Sequence, residues 1–304
     1  MPKSLWQCGS YRLNLIKRPL IMGILNITPD SFSDGGLFMD AKQAIKQAIR
    51  MEQEGADIID IGGESTRPNA VPVSEEEELR RVLPVIKALS RRIKIPLSID
   101  TTKSEVARLA IDHGASIVND ISGLMRDPKM MSIVAKSKAG LVLMHSKGTP
   151  QTMQRHPRYS NVVREVYDFL EKKIKQAIDG GIPITRLLID PGIGFGKTAN
   201  HNLTLMNQLS AFLPLGVPIL IGPSRKSFIE KVLTSSTDPA PHLTSLARGD
   251  ESIPFYRWEG TVAAVAIAIL RGARIIRVHD VAPMARVARV ADAICRGKSS
   301  PVSG

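Results

Sequence analysis

Eight short apolar runs recur along the chain, at 20–25, 57–61, 95–99, 116–118, 140–144, 187–189, 218–221 and 274–278, with helix-like stretches between them. Runs this short, bounded by turn residues, read as buried strands of a parallel sheet. The stretches between them repeat apolar positions three and four apart. Ala41, Ala44, Ile45 and Ala48 form one such face, with Asp40 placed to cap it and Gly55 beyond its end. Ser74 opens a Ser-Glu-Glu-Glu capping box ahead of Leu79, Val82, Leu83 and Ile86. Ser160 precedes Val163, Val166, Tyr167, Leu170 and Ile174, and Gly180 with Gly181 stops that helix. Eight strand–helix alternations predict a closed (β/α)8 TIM barrel, with an open doubly wound sheet as the alternative. Trp6, Tyr11 and Leu13 alternate within residues 1–17, which read as an N-terminal hairpin plugging the barrel floor. Residues 1–298 are expected to be one barrel domain and 299–304 a disordered tail. Thr234 to Arg257, rich in Ser, Asp and Pro, reads as a long loop with no assigned role.

Bulk composition narrows the picture only a little. A chain of 304 residues with 43% hydrophobic content can bury a large core, as one barrel or as two domains. Cys8 and Cys295 stand near opposite ends and make neither a CxxC pair nor a disulfide framework, which fits a reducing compartment. No charged segment followed by an apolar one opens the chain, and the longest apolar run, Val262 to Leu270, is far too short for a bilayer. The expectation is a cytoplasmic protein with no membrane partner. Lys and Arg total 41 against 29 Asp and Glu, a net charge of +12, which draws polyanions. The basic residues are scattered, however, and aromatics make up 4% without interleaving on a basic stripe. A small phosphorylated substrate explains the surplus as well as nucleic acid does, and solvated helix faces explain most of it.

The polar residues after each apolar run carry the chemistry. They are Asn26; Gly62 to Arg67; Asp100; Asn119 and Asp120; His145; Asp190 to Gly192; Gly222 to Lys226; and His279 with Asp280. Carboxyl ends of barrel strands converge on one face, so these groups should meet at one mouth. Arg67, Arg225, Lys226, Arg277 and His279 can gather around a polyanion, and Asn26 can give one neutral oxygen to a Mg²⁺ whose other ligands are phosphate oxygens and water. Asp100, Asn119 and Asp190 form a second set. A planar 2-amino-4-oxo heterocycle offers adjacent N–H groups that a buried carboxylate accepts in pairs, and Phe195 with Arg277 could sandwich such a ring. A structural ion-pair network remains the alternative for this set. No His/Cys cluster suits zinc, and Lys197 in Gly194-Phe195-Gly196-Lys197-Thr198 only mimics part of a P-loop. The polar loop Thr28 to Gly36, leaving the first strand, reads as a mobile lid.

These segments together resemble dihydropteroate synthases: Ile24-Leu25-Asn26 through Gly36, Gly62 to Pro68, Ser98 to Thr101, Asn119 to Gly123, Asp190 to Lys197, Gly222 to Ser227 and Arg277 to Asp280. The likeness runs in register from about residue 18 to 296, and it implies a (β/α)8 barrel. It implies too a transferase of alkyl (non-methyl) groups that condenses 7,8-dihydropterin-6-ylmethyl diphosphate with 4-aminobenzoate in folate synthesis, releasing pyrophosphate. By resemblance, Asp100, Asn119, Asp190 and Lys226 hold the pterin, with Arg277 stacked on it and Thr66, Met144 and Gly222 alongside. Asn26 takes Mg²⁺, and Arg67, Arg277 and His279 the diphosphate. Phe32, Thr66, Pro68, Phe195, Lys226 and Ser227 make the aminobenzoate pocket, where sulfonamides act by mimicry. Asp100, Asp190, Lys226 and the lid residue Asp34 are the implied catalytic set. The family also implies a homodimer on C-terminal helices, using 262–270 and 287–294. Nothing N-terminal resembles the pterin pyrophosphokinase fused to some family members, so a single function is expected. Asn69 departs from the glycine common at its position. A pterin-dependent methyltransferase and a non-catalytic pterin or nucleic-acid binder are the rival readings. The first needs no diphosphate cations, and the second should lack Asp100 or Lys226.

Overall fold

The computed structural model describes residues 5–27, 36–67, 70–234 and 255–297. An antiparallel hairpin, β1 (Leu5–Cys8) and β2 (Tyr11–Asn14), leads into eight parallel strands. These are β3 (Leu20–Asn26), β4 (Ile58–Gly62), β5 (Leu97–Asp100), β6 (Ala115–Asp120), β7 (Gly140–Met144), β8 (Leu187–Asp190), β9 (Leu220–Ile221) and β10 (Ile275–Val278). Around them lie α1 (Gly36–Gln53), α2 (Glu75–Leu89), α3 (Ser104–Asp112), α4 (Lys129–Lys136), α5 (Val162–Asp179), α6 (Ala199–Asn207), α7 (Ser227–Thr234), α8 (Phe255–Leu270) and α9 (Val281–Arg296). The sheet runs β8-β7-β6-β5-β4-β3-β10-β9. A parallel bridge between Ile189 and Ile219 closes the ring, with Ile189 N–H donating to Pro218 O at 3.1 Å. The barrel is therefore the predicted one, its parallel strands neighbouring one another in chain order around the ring.

Two strands start two residues inside their apolar runs, and proline is the reason. Pro96 and Pro218 carry no N–H for the ladder, so β5 and β9 begin just after them. Helix starts also moved. Asp40 does not cap α1, because the helix begins at Gly36 and a capping residue must lie outside it; the good helix formers Leu37 and Met39 offer no reason to stop short of it. Ser74 caps α2 by accepting from Glu77 N–H at 3.2 Å, but the return half of the box is replaced by Glu77 pairing with Arg80 and Arg81. Asn161, not Ser160, caps α5, accepting from Arg164 N–H at 3.0 Å.

Strand residues alternate between two cores. Outward-facing Ile21, Leu25, Ile59, Ile61, Ile99, Val118, Leu141, Leu143, Ile189 and Val278 pack under the helices. Inward-facing Met22, Ile58, Ile117, Val142, Leu188, Leu220 and Ile275 form a floor layer, and the hairpin closes it with fully buried Trp6 and Cys8. Trp6 Nε1–H donates to Arg186 O at 2.9 Å, satisfying the indole's one polar atom. The apolar filling stops there, so the next inward residues of each strand stand above a dry floor.

Candidate active site

On β4, β5, β6, β8 and β10 those next residues are polar, while β3 and β7 place Ile24 and Met144 at that level. Asp60 and Ser98 sit side by side in the β4–β5 register, and Asp100 and Asn119 in the β5–β6 register. Arg277 on β10 ties the set together. Its Nε–H donates to Asp60 Oδ2 and its Nη2–H to Asp100 Oδ2, both at 2.6 Å. Asn119 Nδ2–H donates to the same Asp60 oxygen at 3.0 Å. Asp190 ends β8 beside Met144 of β7, and its Oδ1 accepts from Gly192 N–H at 2.7 Å. Gly62 and Gly222 keep the mouth wide. A Cβ on Gly62 would stand 3.7 Å from Asn26 Oδ1 and from Asp100 Cβ, and one on Gly222 would stand 3.7 Å from Arg277 Cβ. Of the groups expected from the strand ends, Asp100, Asn119 and Arg277 are thus linked through Asp60, with Asp190 close enough to feel Arg277, whereas Asp120 turns to Ser122 and Leu124 and His145 to Lys197.

Lys226 and Phe195 meet on one side of this mouth. Lys226 Nζ lies 4.0 Å above the Phe195 ring and donates to Ile193 O at 2.8 Å. Gly194, at φ +83°, is required here, since a Cβ would come 2.8 Å from Lys226 Cδ. Thr66 is half-buried, Arg67 and Ser227 are exposed, and Met144 is buried. Phe32, Asp34 and Pro68, with Asn69 and most of the 234–257 loop, fall outside the described residues.

Burial and charge set the protonation states. Burial pushes the Asp100 carboxyl up to about 7; the Arg277 guanidinium opposes that shift, while the Asp60, Glu78 and Asp120 carboxylates add to it. Burial also raises Asp190, against the Gly192 N–H bond and the charges of Lys226, Lys197 and Arg277. Lys226 falls to about 8 by burial and the nearness of Arg277, with Asp190 and Asp100 pulling the other way. His279 falls to about 3, through burial and then Arg225, Arg277, Arg67 and Lys226. Burial leads that shift and the neighbouring cations add to it, so His279 stands neutral in the ligand-free protein.

One cation expected at the anion site belongs elsewhere. Arg225 pairs in two-pronged fashion with Asp280, Nε–H to Oδ2 at 3.1 Å and Nη2–H to Oδ1 at 2.7 Å. It stands at φ +57°, with its N–H held by Thr261 Oγ1 at 3.0 Å. Its charge is matched inside the protein, which leaves Arg67, Lys226 and His279, with the edge of Arg277 not engaged by Asp60 and Asp100, to face an anion.

Three buried features were not assigned from sequence. Asp60 hides inside an apolar run, where its signal was a charge in a strand that must be paired if buried. Lys197 is no phosphate lysine. It is 2% exposed, and its Nζ reaches His145 Nδ1 at 2.9 Å, Gly192 O at 2.9 Å and Phe195 O at 3.0 Å. Burial draws it down to about 7, against Asp190. Burial takes His145 to about 2, so its Nδ1 is an acceptor, and with His145 O at 3.3 Å four acceptors share the donors of one amine. Lys103, three residues past Asp100, pairs with Glu64 and with buried Glu78 at 2.5 Å, holding the loop that carries Thr66 and Arg67. No described helix is long and apolar enough to cross a membrane.

Comparison with known proteins gives the family. Residues 22–279 match the pterin binding enzyme family. A dihydropteroate synthase of Synechocystis is 48% identical over 280 residues, 92% of this chain and 91% of that protein. The Yersinia pestis dihydropteroate synthase solved with a sulfonamide drug superposes with a TM-score of 0.84 at 40% identity, covering 95% of this chain and 98% of that one. The Xanthomonas albilineans dihydropteroate synthase solved with 4-aminobenzoic acid gives 0.84 at 43% identity, covering 96% and 98%.

Proposed function

The chain belongs to the dihydropteroate synthase family of pterin-binding enzymes, and from that premise we propose how its residues carry out the condensation of dihydropterin diphosphate with 4-aminobenzoate in folate biosynthesis. The observation that carries the assignment of roles is the convergence of Asp100, Asn119, Asp190, Lys226 and Arg277 on one mouth above a dry barrel floor.

The pterin lies flat in that mouth. Its ring N–H groups donate to the Asp100 and Asp190 carboxylates and to Asn119 Oδ1, while Lys226 donates to its acceptors and Arg277 stacks on its face. Met144 and the space at Gly222 fit the ring's edge and Thr66 its diphosphate side. The diphosphate faces Arg67, Arg277 and neutral His279, whose low basicity rises once an anion replaces the repulsion of its cationic neighbours. No cluster of three or more His, Cys, Asp or Glu exists among the described residues. A lone strand-end amide, Asn26, instead suits a Mg²⁺ that arrives with the diphosphate. Bound there, the ion would neutralise developing charge on the departing pyrophosphate.

The methylene–oxygen bond then breaks with its electron pair leaving on pyrophosphate. The remaining cation is delocalised over the pterin, and the carboxylates of Asp100 and Asp190 stabilise it in a site where water is scarce. The arylamine attacks from the side of Phe195, Lys226, Ser227 and Thr66, and its surplus proton leaves with pyrophosphate or solvent. The net transfer is of an alkyl group other than methyl. The lid bearing Phe32 and Asp34, together with Pro68, is assigned to closing over this step.

A condensation assay tests the scheme through its pH dependence. Asp100 must be ionised to act, and its pKa stands at about 7 in the ligand-free protein, so protonation removes function as pH falls. The kcat/KM for the pterin diphosphate is expected to fall about tenfold per unit below neutrality. A flat profile down to about pH 5 would remove Asp100 from the mechanism.

We also assign a homodimer to α8 and α9, which pack together and bury Val265, Ala268, Ala288 and Ala291. Their other faces leave Ile267, Leu270 at 55%, Val290 and Ile294 at 69% exposed. Sedimentation should show a dimer that Leu270→Glu with Ile294→Glu dissociates; a monomeric parent protein would contradict it. The unpaired Cys8 and Cys295 suit the reducing cytoplasm, which fractionation of the cell can check.

A further inference from the structure

Asp60 is the most deeply buried carboxylate of the barrel lumen, at 0% exposure, and it lies one inward step below Gly62 on β4. Substrate at the mouth meets Arg277 and Asn119 before it could reach Asp60. Both hydrogen bonds that Asp60 makes go to those two groups, and both use Oδ2. Its Oδ1 has no hydrogen-bond partner among the described residues. A carboxyl group buried this fully must find hydrogen-bond partners inside the protein.

We propose that Asp60 is a positioning residue for pterin recognition, fixing the plane of Arg277 and the orientation of the Asn119 amide from beneath. The proposal rests on the reading that both groups face the pterin.

Two physical consequences make the role specific. A guanidinium held by Nε–H on Asp60 and by Nη2–H on Asp100 is fixed at two points. Held at Asp100 alone, it would swing about one bond, and a stacking face must not swing. The second consequence concerns polarity. Because Asp60 can only accept, Asn119 must turn its NH₂ downward, and this leaves Oδ1 upward as an acceptor for ring N–H groups. A neutral amide at position 60 would tolerate either orientation of Asn119. The acceptor pattern of the pocket would then be lost in part of the population.

The decisive variants are Asp60→Asn and Asp60→Leu, read against Asn119→Ala. Asp60→Asn is expected to raise the KM for the pterin diphosphate about tenfold and to leave that for 4-aminobenzoate within about twofold, with Asp60→Leu losing more. Equal changes in both KM values, or a drop in unfolding midpoint with no change in either, would overturn the proposal and reduce Asp60 to a packing group. Should Asn119→Ala itself leave pterin binding intact, the pterin reading fails along with the inference; if Asn119→Ala weakens binding and Asp60→Asn does not, only the inference fails. Arg277→Lys covers the case in which Asp60 variants do not fold. One ammonium cannot bridge two carboxylates as two edges of a guanidinium do, so this change should reproduce the selective loss of pterin affinity. Unaltered pterin affinity in that variant would count against the two-point hold.

Discussion

An Asp190→Asn chain should fold normally and bind the dihydropterin diphosphate about a thousandfold more weakly, the largest single loss expected at the site. The magnitude comes from what each oxygen does. Oδ1 accepts from Gly192 N–H at 2.7 Å, a bond the asparagine carbonyl can keep. The other position then becomes an NH₂ pointed at ring N–H groups, so a charged hydrogen bond is replaced by two opposed donors. Losing a charge-assisted bond and stranding a donor are each worth about 1.5–3 kcal/mol, and together about 4 kcal/mol. The fold itself has little to lose, because burial already disfavours the ionised carboxyl and raises its pKa. Calorimetry with the pterin diphosphate and a urea titration read the two effects separately. Binding near that of the parent chain would strip Asp190 of its role.

Lys197→Met should do the reverse, damaging the fold first. The change leaves Gly192 O, Phe195 O and His145 Nδ1 without their shared donor in a site that is 2% exposed. Breaking a buried charged network by removing one member costs about 3–5 kcal/mol. The segment it pins also carries function. Gly192 sits at φ +72° with a Cβ position 1.9 Å from His145 O, so the chain passes there only as glycine and only when held close. Ile193 O positions Lys226, and Phe195 lies under it. A large fall in the urea midpoint is therefore expected, with a raised KM for 4-aminobenzoate in whatever folds. An unchanged midpoint would mean that the ammonium is replaceable and that the loop is held by other contacts.

The barrel was legible in the sequence because fully buried parallel strands must be apolar throughout, and eight such runs have few other architectures open to them. Their ends were legible because inward alternation puts Asp100, Asn119, Asp190 and Arg277 where the apolar floor stops. What escaped was pairing across long separations. Arg225 looked like an anion ligand until Asp280, its partner 55 positions later, was in view. Asp60 looked like part of an apolar run, and only its bonds to Asn119 and Arg277 show why a charge is tolerated there. The glycine spacing already sets Lys197 apart from a P-loop lysine but does not give its partners, because a glycine-rich loop reads alike whether its backbone carbonyls or its N–H groups point inward. In the fold they are carbonyls, and the lysine serves the protein's own backbone. Helix caps shifted by a residue or a turn for the same local reason: several polar residues compete for each start, and tertiary contacts choose among them.

The central claim is that buried carboxylates stabilise a pterin cation formed as pyrophosphate departs, before the amine attacks. Positional isotope exchange tests it most directly. Dihydropterin diphosphate labelled with heavy oxygen in the bridge to the methylene carbon is incubated with the protein and Mg²⁺, without 4-aminobenzoate, and then recovered. Reversible ionisation predicts that label moves into non-bridging positions, and that Asp100→Asn suppresses the movement. Label that stays in the bridge, in a preparation that makes dihydropteroate as soon as 4-aminobenzoate is added, would contradict the account and point to direct displacement by the amine.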